Sequence, residues 1–321
     1  MKNPLLIICT TIILLTGNLT AKTQTHEFIS DKFSCSYDID RGRKQGKYIS
    51  YYPNGIKKAE GIFENNYRSG NWKVWDSTGI LKMQRYYRNP FEYDILLPDE
   101  SADLPVNLLV PPIYTLRYNN ENYYENFIVD ESMIIWAKRI WRWIPMENNE
   151  LLFQNNVMFN TLNNNVLNGN IKAYNSVNDI FNKELNITDI DTANLQIIAF
   201  KIKEDHFFDN KRFVSESRIL GICPVAFNAI SKDTIDLYWV PFSATRKYLA
   251  ASVMPQHSEK ESINSLDDLF FFRNFNSSIY KEANIYNRTI ADYKSGPDIV
   301  KEAEKIEINL IESEHALWLS F

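Results

Sequence analysis

The chain has 321 residues and a formal charge of −5, from 35 basic and 40 acidic residues. Apolar residues make up 45% and charged residues 23%, which excludes a disordered polyampholyte. The charge is mixed and mildly acidic, with no basic block, and this argues against nucleic-acid binding through phosphate neutralisation.

Lys2 precedes an apolar run from Leu5 to Leu15. That is the length of a signal-peptide core and well short of the roughly 20 residues that span a bilayer. Residues 1–21 therefore read as a cleavable leader ending at Ala21, with Gly17 as the alternative end and an uncleaved N-terminal anchor as the alternative reading, and the mature chain as exported. Ile8 before Cys9, and the apolar run beyond it, speak against lipid attachment there. Cys35 and Cys223 remain. In an oxidising compartment they are either one disulfide tying the two ends of the chain together or two unpaired thiols.

Residues 22–40 read as a connector. Glycine then becomes frequent: Gly42, Gly46, Gly55, Gly61, Gly70 and Gly79 fall close together, although the chain has only ten. Residues 46–89 repeat with a period of 24. Gly46-Lys47-Tyr48 aligns with Gly70-Asn71-Trp72, Asn54-Gly55 with Thr78-Gly79, and Phe63 with Tyr87. Each unit reads as a strand, a tight turn and a second strand. Asn-Gly suits a two-residue hairpin turn, whose central positions both need positive φ. Residues 41–94 resemble MORN-type hairpin repeats, which implies a structural or binding module. Two units are fewer than the roughly three a repeat array usually needs. The array should therefore lean on the following domain or on a partner.

Residues 95–125 carry Pro98, Pro105, Pro111 and Pro112, then Asn119, Asn120 and Asn122, and read as an extended surface connector. A second domain follows over 126–321. Met133, Ala137, Ile140, Trp141 and Ile144 recur at spacings of three and four. They predict a helix capped by Asp130 and stopped by Pro145. Ser176 to Leu185 reads as a second helix. Residues 196–208, 213–223 and 235–242 read as strands of an antiparallel meander. Ser243 starts a short helix to Ala251, Ser265 and Asp268 make a capping box, and Pro297 opens a final helix. On that helix Ile299, Ala303, Ile306 and Leu310 form the apolar stripe, and Glu302, Glu304, Lys305 and Glu307 the wet side. The fold class is α+β: an all-β hairpin array, then a meander sheet flanked by helices.

Residues that could carry chemistry are few. Glu204, Asp205, His206 and Asp209 lie close in sequence. On a strand, Glu204 and His206 share one face and Asp205 takes the other. A zinc site needs three or four convergent ligands, so this stretch reads as the solvated turn of a hairpin. His315, with Glu312 and Glu314, reads as a charged helix end. Zinc-protease, CxxC, phosphate-loop and serine-elbow motifs do not occur. Lys138, Arg139 and Arg142 beside Trp141 read as one basic helix face. It is either solvated or a docking face for an acidic partner, since Arg and Trp are favoured interface anchors.

Seven stretches in order across residues 127–321 resemble the GldN/PorN family. They are Trp136 to Arg142, Phe200 to Asp209, Arg218 to Pro224, Leu237 to Pro241, Ser265 to Phe270, Ile279 to Asn284 and Glu314 to Trp318. The chain departs from the family at Trp143-Ile144-Pro145-Met146-Glu147, and the array before it is not part of the usual family pattern. The resemblance implies a non-enzymatic scaffold subunit of the type IX secretion and gliding-motility machinery. It implies a periplasmic location and a ring, itself homo-oligomeric, built with a GldK/PorK-type lipoprotein beneath the outer membrane. It further implies contact with the periplasmic part of a GldM/PorM-type subunit, and no cofactor or small-molecule substrate. The alternative is an exported repeat protein that acts as a binding adaptor outside that complex.

Overall fold

A computed structural model describes residues 24–40, 42–89, 92–97, 116–175, 179–185, 195–252 and 263–320. The leader and the four connector prolines lie outside them. The first sheet is a seven-stranded antiparallel meander in chain order. Its strands are β1 (Gln24–Ile29), β2 (Ser34–Asp40), β3 (Arg43–Tyr51), β4 (Lys57–Glu64), β5 (Tyr67–Trp75), β6 (Leu81–Tyr87) and β7 (Tyr93–Leu97). Residues 24–40, expected as part of a connector, add two strands to the array.

The 24-residue period is visible in the pairing. Tyr48 opposes Gly61 as Trp72 opposes Arg85, and Gly46 opposes Phe63 as Gly70 opposes Tyr87. The turns differ from expectation. At Asn54-Gly55 it is Gly55 that has positive φ, +81°, and Gly79 matches it at +89°. Gly55 N–H bonds to Tyr52 O at 2.9 Å, so a type I turn precedes a left-handed glycine, the three-residue hairpin form. The turn with two adjacent left-handed residues is Asn65-Asn66, at +49° and +73°, between β4 and β5. Gly61 serves close approach instead, because a Cβ there would lie 2.2 Å from the Trp72 ring.

In the second part of the chain, β8 (Ile134–Pro145) replaces the helix expected over 130–144. Asp130 does cap, but the cap starts a single 3₁₀ turn, Glu131–Met133. Two helices not anticipated from the sequence come next, α1 (Glu150–Phe153) and α2 (Val157–Leu167). Short strands β9 (Ala173–Tyr174) and β10 (Glu184–Leu185) pair with each other. The helix expected over 176–185 is therefore absent among the described residues 179–185. Phe181 sits at φ +55°, which a continuous right-handed helix does not permit.

The long hairpin β11 (Leu195–Asp209) and β12 (Val214–Asn228) matches the expected strands. The strand expected over 235–242 is split into β13 (Thr234–Asp236) and β14 (Val240–Pro241). Helices α3 (Phe242–Ala250) and α4 (Leu266–Phe271) come after it, the latter with the Ser265/Asp268 capping box, then β15 (Ser278–Glu282) and α5 (Pro297–Leu319). The second sheet runs β13-β12-β11-β8-β15, with β14 beside β12, and all its pairs are antiparallel. The fold class is α+β, as the sequence predicts.

Helices α1 to α4 bury one end of this sheet around Ile144, Phe200, Ile202 and Leu269. The other end packs on α5 and the array. One apolar cluster joins Tyr48, Trp72, Val74 and Met83 of the array to Phe208, Ile308 and Trp318. The array does lean on the domain C-terminal to it. Cys35 and Cys223 are both free and buried. Burial pushes the Cys35 thiol up to about 12 and Cys223 well above its usual range, so neither is a thiolate near neutral pH.

Candidate functional site at the seam between the sheets

On β8, β11 and β12 side chains alternate between a face toward α5 and a face away from it. Glu204 and His206 share the inner face, as strand alternation predicts, and Asp205 points outward to Arg139. The setting is not a solvated turn. Glu204 is fully buried, and its carboxylate is bound by Arg142 Nε at 2.6 Å, His206 Nε2 at 2.8 Å and Arg273. Arg142 reaches on to Glu307 Oε2 at 2.7 Å, and Glu307 Oε1 takes Lys44 of β3, also at 2.7 Å. A chain of charge thus runs from the second sheet through α5 into the array.

A second set lies further along α5. Glu312 is bound by Lys58 and by the Tyr48 hydroxyl, both from the array, and by His315 Nδ1 at 3.1 Å. Glu314 takes Arg68 at 2.6 Å and the Ser215 N–H at 3.1 Å. His315 is fully buried against Tyr48, Trp72 and Trp318. Its Nε2 lies 3.4 Å from Arg68 Nη2. Arginine only donates, so that nitrogen accepts and Nδ1 carries the proton toward Glu312. His315 is a structural centre of the seam and not a charged helix end. Likewise Glu304 and Glu307, expected on the wet side of α5, face the array.

The electrostatics follow from this pairing. Burial pushes Glu204 upward, yet Arg273, Arg142 and His206 outweigh it and hold the carboxyl well below its usual range. Glu307 is held low by Arg142 and Lys44 against the same burial. Glu312 is held at about 2 by His315 and Lys58, again against burial. Burial lowers both His206 and His315 despite their carboxylate neighbours. The acids are therefore ionised and the histidines neutral near neutral pH. Such a set bonds two layers together.

Among the described residues no group of three His, Cys, Asp or Glu side chains could hold a metal ion. The residues read as one basic face are divided between two. Lys138 pairs with Glu282 at 2.5 Å on the inner face, where Arg142 is buried. Arg139 grips Asp205 with two bonds on the outer face, where Trp141 is buried. Trp141 Nε1 donates to Asp179, and Lys281 sits 4.1 Å over its ring. Sequence reasoning missed the seam, although charged residues at inward array positions, Lys58 and Arg85, are its signal.

Between the array, α5 and the second sheet lies an open cleft of about 710 Å³. Its floor carries the Lys44, Glu307 and Arg142 chain, and its walls include Ile39, Phe275, Ile299, Ala303 and Ile311.

The fold and seam define a braced α+β protein with a hairpin array fastened to it. Residues 129–319 match the family model of the gliding motility associated protein GldN, and the chain belongs to that family. The family is a periplasmic, structural component of the gliding-motility and type IX secretion machinery. None of the curated proteins matches the chain. Strands β1 to β7 lie before the matched residues. Among the described residues no helix is long and apolar enough to cross a membrane.

Proposed function

We propose that the chain is a non-enzymatic scaffold subunit that assembles with a GldK/PorK-type lipoprotein into a ring beneath the outer membrane, and that it contacts a GldM/PorM-type subunit. A cleaved leader would deliver it to the periplasm. Family membership over residues 129–319 carries this reading. The braced seam supports it, because a ring subunit must hold its surfaces in fixed relation. Lys138 and Arg139 retain exposure and serve as partner contacts. Trp141 and Arg142 support them from beneath.

The test is purification of a tagged copy from its native envelope. A lipoprotein recovered with it in a large assembly is the expected result. Recovery of the chain by itself as a monomer would overturn the proposal.

The second reading, an exported adaptor whose MORN-like array binds a partner outside the secretion complex, draws on the array lying outside the matched residues. Deleting residues 40–94 is a poor test of it. That deletion strips Glu307, Glu312 and Glu314 of Lys44, Lys58 and Arg68. Charged substitutions on the outward face of the array, at Ile62 and Tyr86, are cleaner. Under the adaptor reading they abolish function while protein secretion continues, and loss of secretion would refute it.

A further inference from the structure

We propose that the cleft between the array and α5 binds an extended polypeptide segment of a partner protein, one that sets a lysine or arginine among apolar residues. The first observation is a single carboxylate of the lining that, among the described residues, no Lys or Arg pairs. Glu307, Glu314, Glu216 and Glu204 each hold at least one Lys or Arg. Glu304 differs. Its Oε1 takes the Tyr37 hydroxyl and lies 3.5 Å from His26 Nδ1. Among the described residues no Lys or Arg stands within ion-pair reach of it. Its side chain keeps 27% of its surface open at the cleft. A carboxylate so placed favours a cationic donor, and apolar walls on either side favour apolar neighbours for that donor.

The second observation selects a polypeptide over a small amine. Two strands that end their sheets lend side chains to the cleft. Among the described residues β1 has β2 as its one neighbour and sends His26 into the lining, and β15 has β8 as its one neighbour and sends Ser278 and Ile279. Each offers a row of backbone N–H and C=O groups among the described residues, which an extended chain can satisfy. The array supplies one wall, so the cleft gives it a role that the family match does not cover. The inference is independent of the ring: absence of a co-purified lipoprotein leaves the crosslinking test intact.

That test places benzoylphenylalanine at Val300, an exposed cleft residue of α5, in the full chain within its native envelope. Irradiation should join it to a segment that mass spectrometry reads as basic within apolar surroundings. Glu304→Arg should cut the adduct at least tenfold, and Glu304→Gln should cut it severalfold. Asp298→Arg, an exposed site on the same helix, should leave it unchanged. Thermal melting of each variant establishes that it is folded. No adduct, an adduct to a segment without a basic residue, or an adduct indifferent to Glu304→Arg would overturn the proposal. If spermidine raises the melting temperature of the parent protein and not of Glu304→Gln, and no adduct forms, the ligand is a free amine and the polypeptide reading falls.

Discussion

Glu204 shows what single side chains do in this protein. Its carboxylate faces Arg142, Arg273 and His206 with no access to water. Replacing it by Gln removes the charge and leaves buried guanidinium groups short of a counter-ion, a change that costs about 3 to 5 kcal/mol. Glu204→Gln should therefore lower the denaturation midpoint sharply; a variant within about 0.5 kcal/mol of the parent would show that the network is not structural. The pH dependence has a definite sign. His206 and His315 titrate below their ordinary value near 6.5, so the stability they add is complete above that pH and is lost as the pH falls. Glu204, Glu307 and Glu312 titrate below the ordinary value of 4.5, and their contribution is lost only as the pH falls below that, for Glu312 through about 2. Acid should weaken the fold in two stages. The double variant His206→Gln/His315→Gln, whatever its absolute stability, should show a flat melting temperature between pH 7.5 and 5. A slope equal to that of the parent would count against this assignment. Little of this was legible in the sequence. Strand alternation placed Glu204 and His206 together, but their counter-ions come from residues 142 and 273, and no local pattern announces a partner so remote.

At the scale of elements, the repeat was legible and the switch from helix to strand was not. Period 24 survives in the register of β3 with β4 and of β5 with β6. It also sets apart two kinds of glycine. Gly70 sits at φ +61° with nothing within 4 Å of an added Cβ, so Gly70→Ala carries only left-handed strain, about 1 kcal/mol. A Cβ on Gly61 would drive into the Trp72 ring, which is pinned by its Nε1 bond to Ile62 O at 2.9 Å. Gly61→Ala should therefore cost about 3 kcal/mol, near the upper end for overpacking. Equal losses in thermal melts of the two variants would refute the distinction. Strand β8 deceived because both its faces are partly covered. Ile140, Trp141, Arg142 and Ile144 are all buried, and the run satisfies a spacing of three and four as well as it satisfies alternation. Its isoleucines and tryptophans were the better guide, since β-branched and aromatic side chains favour strands. Helix α2 was hidden by its asparagines, which are weak helix formers, although Met158, Phe159, Leu162 and Val166 line its buried side.

Across the whole molecule, composition pointed to two units, and the seam fuses them. A core of Tyr48, Trp72, Phe208, Ile308 and Trp318 belongs to neither sheet by itself. Calorimetry should give one unfolding transition, and two resolved peaks would show that array and domain melt separately. Thiol labelling supplies an independent check. Cys35 and Cys223 should react only when the chain unfolds, and rapid reaction of either in the native protein would contradict its burial.

The order of the array and α5 along the chain has a temporal consequence. The array is synthesised well before the side chains that close its inner face, Ile308, His315 and Trp318. The bond between Tyr48 and Glu312 spans 264 positions. Until that helix arrives, the growing polypeptide carries a row of aromatics with nothing to cover them. Contacts of such long range slow folding and expose the unfinished chain to aggregation. The same arrangement makes α5 the point of failure: a protease that clips its last turns unfastens strands far upstream of it.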